Sequence, residues 1–213
     1  MNGIRAGAAL LLAGFLAGPP SLAQLGGQLP LPLPGGSTPA GVVGNASAAQ
    51  VTLLGILGTA TTTALAGTGS LGSASDARDA SQLTGSIPSL LGAEVAQADT
   101  IASGNQVDSE ASLANLTMTV GGLGVTADFV MARASQAAGA AGTGVSDISN
   151  LAINGAPIAI SGQPNQTIAI PGGQLVINEQ AISSTGAMTV NALHFILNGV
   201  ADVTIASATA GIS

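Results

Sequence analysis

The sequence predicts an all-β fold, an antiparallel β-sandwich or jelly-roll-like domain with a flexible N-terminal leader. Of its 213 residues, 46% are hydrophobic and 6% charged, the opposite of the balance found in disordered chains. Aromatic residues make up 1%, so Val, Ile, Leu, Ala and Thr must fill the core, and the β-branched ones among them pack well on a pleated sheet. Short β-prone runs separated by turn residues recur through the C-terminal half, which favours a sandwich or barrel over βαβ units.

The first 23 residues have the features of a secretory signal peptide. Arg5 supplies a positive charge, Ala8–Leu16 form an apolar run, and small residues precede a cleavage position between Ala23 and Gln24. The apolar run is too short to cross about 30 Å of hydrocarbon. We therefore expect a secreted chain, extracellular or on the cell surface, with no transmembrane segment after cleavage.

The charge balance excludes several partners. Ten Asp and Glu residues face three Arg and no Lys, for a net charge of −7. A nucleic-acid-binding protein neutralises phosphates with Lys and Arg, so no nucleic-acid partner is expected. The absence of Cys excludes a disulfide framework and thiolate metal sites.

The mature chain divides into a leader and one domain. Residues 24–49 are rich in Gly, Pro and Ala, and the Leu-Pro alternation of residues 29–34 favours polyproline II. Residues 50–66 form a β-prone run that is apolar on both faces, and residues 70–90 are predicted as a loop. We therefore assign residues 50–213 to a single β domain.

Turn signals place the later strands. Asn154-Gly155 predicts a two-residue hairpin turn, and Pro157 just after it should put that strand at an edge or start it. Asn198-Gly199 is predicted as a second two-residue turn, between strands over Met188–Leu197 and Val200–Ala208.

Six blocks of the C-terminal half form a recognisable set. They are Gly124–Asp128, Asn150–Pro157, Gly162–Thr167, Leu175–Gln180, Thr189–His194 and Gly199–Val203. Together they resemble the choice-of-anchor P family of bacterial secreted or surface domains, which are named for their varied C-terminal anchoring signals. The resemblance covers roughly residues 112–213 well and 50–111 loosely, and it implies an exported β-rich module without assigning a catalytic residue. No anchoring motif ends this chain, so we expect the product to be released, or held at the surface by contacts rather than by a covalent anchor.

The residue types present give little support to a catalytic function. The only His is His194, and Lys, Tyr and Cys are absent, although acid–base catalysis usually draws on these residues. A triad of His194 with Asp202 and either Ser183 or Ser184 is conceivable, but the sequence lacks a G-x-S-x-G nucleophile motif. We predict no catalytic or cofactor-binding residue and no enzyme. A hydrolase would require an activity that disappears in a His194→Ala variant.

His194 is better explained as a structural residue. Strand alternation places it on the same face as Ala192 and Ile196, where it would be hydrogen-bonded at the margin of a sheet. Glu179 lies among apolar residues, and a carboxylate there needs partners. We predict a structural link from Glu179 to His194 or to Arg133.

The metal-binding prediction stays open. No EF-hand loop is present, but two short segments could each contribute oxygens to Ca²⁺. They are Asp108-Ser109-Glu110 and Asp76-Ala77-Arg78-Asp79. Solvated surface carboxylates are the alternative explanation for both.

The remaining signal is the lack of edge protection. Soluble proteins block exposed strand edges with charge, especially Lys, and this chain has no Lys. We therefore predict a structural or adhesive protein that self-associates by β-strand addition into a homo-oligomer or polymer, as in a biofilm matrix, surface layer or filament. The leader with residues 50–66 would be the donor strand, and cell-surface components are further candidate partners. The alternative is a monomeric cell-surface module that binds a ligand through its loops.

Overall fold

The computed structural model describes residues 41–54 and 59–213. These residues form an all-β sandwich of two antiparallel sheets, which confirms the predicted fold class. The described part of the chain contains no helix with the length and apolarity needed to cross a membrane. The predicted signal peptide and most of the predicted leader lie outside the described residues.

The first sheet, sheet A, holds six strands in the order β10-β11-β12-β13-β1-β2. The first and last of the described strands are neighbours in the interior of this sheet. Strand β1 pairs with β13 along its length, from Val42 opposite Ile212 to Leu53 opposite Ala201. The strands are β1 (Val42–Leu54), β2 (Ala60–Gly67), β10 (Gln166–Ile170), β11 (Gly173–Ile182), β12 (Met188–Leu197) and β13 (Ala201–Ile212).

The second sheet, sheet B, runs β3-β4-β5-β6-β8-β9, and β7 also pairs with β6. Its four long strands are successive antiparallel neighbours along the chain. The strands are β3 (Ala77–Ile87), β4 (Leu91–Ala102), β5 (Gln106–Val120), β6 (Leu123–Ala137), β7 (Thr143–Ser149), β8 (Ala152–Ile153) and β9 (Ala156–Pro157).

The core lies between the two sheets. Strand β13 packs on β5 and β6, β1 packs on β4 and β5, and β2 packs on β3. Apart from Phe195, the largest fully buried side chains are Leu, Ile and Val, as the composition predicts. Polar contacts also join the sheets: the Ser109 hydroxyl donates to the Thr209 carbonyl at 2.7 Å and lies 2.6 Å from the Thr100 hydroxyl.

A line of left-handed residues crosses sheet A. Asn178, Ala206 and Ala66 have φ angles of 51°, 51° and 46°, and the strand registers place them in one row with Ala192 and Ala48. Side chains of an extended strand alternate between its two faces, and an interior left-handed residue interrupts that alternation. The alternation of buried and exposed residues is accordingly interrupted in each strand at this row. In β1, the consecutive residues Ala48 and Ala49 are both buried.

Sheet B has a similar row. Val95 on β4 and Asn115 on β5 have φ angles of 48° and 49°, and the β4–β5 register is irregular between Gly92 and Gln97. Asn tolerates the left-handed conformation better than most residues, whereas a β-branched Val there is a clear outlier. In both sheets, therefore, the alternation between inward-facing and outward-facing residues shifts by one residue partway along the strands.

Three predicted boundaries are wrong. The first strand begins at Val42, inside the segment predicted as leader, because pairing with β13 orders these residues. The run 50–66 is split between β1 and β2, which pair antiparallel with Val51 opposite Thr63. The predicted loop over residues 70–90 contains strand β3, which pairs with β4.

The turn predictions are confirmed at one site and wrong in detail at another. Asn154 and Gly155 have φ angles of 50° and 77° and join β8 to β9 as the two-residue turn requires. Pro157 lies in the edge strand β9, as predicted. The connection from Leu197 to Ala201, by contrast, contains three residues, and β13 continues to Ile212.

Candidate functional site

A hydrogen-bonded network surrounds His194 on the outer face of sheet A. Its Nδ1 lies 2.8 Å from Oε2 of Glu179, and its Nε2 lies 3.1 Å from Oδ1 of Asp202. The three residues come from neighbouring strands, β11, β12 and β13. The His194 side chain is 15% exposed, so the network is half-shielded from water.

Two neutral side chains extend this network. Asn191 Nδ2 donates to the same Glu179 oxygen at 2.6 Å, and the Ser207 hydroxyl donates to Asn191 Oδ1 at 2.7 Å. Glu179, Asn191 and Ser207 are directly opposite one another in the strand registers. The predicted link from Glu179 to His194 is therefore confirmed. Arg133, the other candidate partner, instead pairs with Glu110, with 4.0 Å between Nε of Arg133 and Oε2 of Glu110.

The predicted face of His194 is partly wrong. Ile196 is half-buried on the same outer face, but Ala192 is fully buried in the core. The reason is the row of left-handed residues through Asn178 and Ala206, which reverses the alternation of the intervening strand at Ala192. His194 and Asn191 consequently share the outer face although they are three residues apart.

The structure brings together only part of the conceivable triad. Both ring nitrogens of His194 face carboxylate oxygens, on Glu179 and Asp202, whereas a triad histidine presents one nitrogen to its nucleophile. The Ser183 hydroxyl contacts the Thr185 hydroxyl at 2.8 Å and accepts from the Ala187 amide. Ser183 is therefore used in the turn between β11 and β12.

This arrangement suits cross-strand stabilisation. A carboxylate accepts hydrogen bonds and a protonated ring nitrogen donates them, so His194 can connect the strands on either side of it. Hydrogen bonds that involve a charged group contribute about 1.5–3 kcal/mol each to stability, less where water screens them. The network therefore supports the outer face of sheet A at the same place where the strands change phase.

A row of charges crosses the outer face of sheet B. Asp79, Asp99, Glu110 and Arg133 are successive cross-strand neighbours on β3, β4, β5 and β6. Partial burial raises the pKa of Asp99 above its ordinary value. Arg133 opposes this shift, and the carboxylates of Asp108 and Asp79 add to it. Like charges placed directly opposite destabilise a sheet, so this row weakens the fold at neutral pH.

Asp99→Asn is expected to raise the melting temperature slightly at pH 7. Because the folded pKa is raised above 3.8, Asp99 contributes most to stability at low pH, and that contribution falls as pH rises through the folded pKa. The gain of the variant should therefore shrink as pH is lowered towards 3.8. Thermal unfolding measured at several values between about pH 3.5 and pH 8 tests this dependence.

The matched control is Asp147→Asn, which removes the same charge from β7 in the same sheet. An equal rise in melting temperature in both variants would mean that the effect comes from the change in net charge and not from the row of charges around Asp99. A lower melting temperature for Asp99→Asn at pH 7 would contradict the prediction.

The two candidate calcium segments are occupied by internal contacts. Ser109 points into the core, where it bridges the sheets, so Asp108-Ser109-Glu110 does not present three consecutive ligands. Oδ2 of Asp76 accepts from the Gly72 amide at 2.7 Å and from Nε of Arg78 at 3.0 Å. Both hydrogen bonds lower the pKa of Asp76, and the bond from the Gly72 amide has the larger effect.

Among the residues that the structure describes, no group of three or more His, Asp or Glu side chains is arranged to hold a metal ion. Searches with the sequence and the structure found no matching protein-family model, curated protein or solved structure.

Proposed function

We propose that this chain is a secreted structural or adhesive protein of the extracellular space or cell surface, which self-associates by β-strand addition at the β2 edge. The observation that carries the proposal is the character of β2. It ends sheet A, its residues 60–64 are exposed, and its sequence Ala-Thr-Thr-Thr-Ala-Leu-Ala-Gly contains no charged residue. An uncharged, β-prone edge strand is a template for pairing with another chain.

The other edges of the described strands are better protected. Strand β3 carries Arg78 and Asp79, and β7, which pairs only with β6, carries Asp147. Strand β9 contains Pro157, which cannot donate a ladder hydrogen bond. Strand β10 is five residues long and is tied to the preceding loop, since Gln166 bonds Ser161 and Ala159 through its side chain. Charge, proline and covering loops are the usual means of preventing edge pairing, and β2 has none of them.

Export and the resemblance to the choice-of-anchor P family belong to the same proposal. They are supported by the signal-like first 23 residues and by the sequence blocks of the C-terminal half. The assemblies we propose are matrix, surface-layer or filament structures. The sequence predicts that the leader and residues 50–66 form the donor strand. Residues 42–54 are instead paired on both sides within their own sheet, so we propose that pairing with another chain uses the outer edge of β2.

Thr63→Lys is expected to convert multimers of the mature chain into monomers at the same protein concentration. Thr63 is exposed on the edge strand, where a lysine adds the charge that naturally blocks edges. The matched control is Gln50→Lys, which places the same charge at an exposed position of the interior strand β1. Size-exclusion chromatography with light scattering on residues 24–213 gives the masses.

Multimers that persist in Thr63→Lys and in wild type alike would remove β2 from the proposal. A wild-type chain that is monomeric throughout would refute self-association. That result would favour the alternative, a monomeric cell-surface module that binds its ligand through loops.

A further inference from the structure

We infer that the strand added to β2 is β2 of a second copy, antiparallel to the first, with the two-fold axis passing beside Thr62. This inference rests on the proposed self-association and specifies its partner and register. It follows from the direction of the backbone hydrogen bonds of β2 and from the charges along the strand.

The direction of the backbone groups of β2 can be read from its neighbour. The Leu54 amide donates to the Val200 carbonyl at 3.0 Å, so Leu54 directs its backbone groups towards the β13 side of β1. Successive residues of a strand direct these groups to opposite sides. Val51, an odd number of residues away, therefore faces β2 and its register partner Thr63. Thr62 consequently directs its N–H and C=O away from β1, towards the side of β2 on which no described strand pairs.

Ala60 and Ala64 have the same parity as Thr62, and all three are exposed. In an antiparallel pair, residues that face one another with these groups exchange two hydrogen bonds. With the axis beside Thr62, the Thr62 residues of the two copies form such a pair. Ala60 of each copy then faces Ala64 of the other, so every outward backbone group of residues 60–64 has a partner.

The charges of the strands favour β2 as the partner of β2. Two copies of an uncharged strand meet without like-charge pairs, which destabilise a sheet when directly opposite. The β3 edge carries Asp79 and Arg78, the β7 edge carries Asp147, and the short β10 strand is bonded to the preceding loop through Gln166. Pairing of a surface with itself is isologous and closes as a dimer. The inference therefore makes a dimer the building unit, and larger assemblies need a second contact.

Cysteine cross-linking tests the register without interference, because the natural chain contains no Cys. In the inferred register, Thr61 of one copy faces Thr63 of the other as a non-hydrogen-bonded pair. Such pairs have Cα atoms about 4.5 Å apart, within the range that a disulfide accepts. The variants Thr61→Cys and Thr63→Cys of residues 24–213 are mixed, left to exchange subunits and oxidised. We expect a cross-linked dimer in the mixture and little in either variant alone.

The other outcomes overturn the inference in distinguishable ways. Equal cross-linking in a single variant would show a different register. Absence of cross-links in the mixture, with reduced variants that are still multimeric by light scattering, would refute the β2–β2 pair and leave self-association intact. Wild-type chain that is monomeric by the same measurement would refute both the inference and the proposed function.

Discussion

A chain without residues 24–66 is expected not to fold. The deletion removes β1 and β2, and β1 is an interior strand of sheet A, between β13 and β2. Ala46, Ala48 and Val51 are at most 2% exposed and pack against β4 and β5 of the other sheet. Their loss opens the core and leaves β13 unpaired on the side opposite β12. The circular dichroism of the shortened chain should show no cooperative thermal transition.

The control for this deletion is a chain without residues 24–40, which retains every described strand. It is expected to unfold cooperatively near the melting temperature of the chain that starts at Gln24. A native-like spectrum and a cooperative transition in the longer deletion would contradict the structure of sheet A. They would restore the interpretation of residues 24–66 as a detachable donor.

The fold class could be predicted because it depends on local signals. Composition indicated strands, and Asn154-Gly155 marked a hairpin through its tolerance of positive φ. The start of β1 could not be predicted in this way. Residues 41–49 are rich in Gly, Ala, Ser and Asn, which have weak strand propensity, and they are ordered by pairing with the far end of the chain, where Val42 faces Ile212.

The candidate site was predicted in part for a similar reason. An isolated carboxylate and the only histidine of the chain pointed to the Glu179–His194 contact. Asn191 and Ser207 were missed, because their place in the network depends on the register of three strands. The phase change at Ala192 was also missed, since the left-handed residues that cause it, Asn178 and Ala206, lie on the neighbouring strands.

Phe195→Ala is expected to lower the free energy of unfolding by about 3–5 kcal/mol. Phe195 is fully buried and is the largest such side chain in the described core. It faces Leu175 and Val203 across the sheet, which are also fully buried. The core is rich in Ala, whose side chain has no rotamers with which to fill a cavity. For a chain of this length the loss corresponds to a fall of about 6–20 °C in melting temperature.

The matched control is Ile196→Ala, the next residue on the same strand, which is half-buried on the outer face. Both variants shorten a large apolar side chain of β12, but only Phe195→Ala leaves a cavity between the sheets. We expect Ile196→Ala to cost about 1 kcal/mol, measured for both variants by denaturant unfolding. Equal losses would show that the two faces of β12 are equally packed, in contradiction to the burial of Phe195. A larger loss for Ile196→Ala would place the core on the face that carries His194, and the outer network would then have to be reinterpreted as part of the interior.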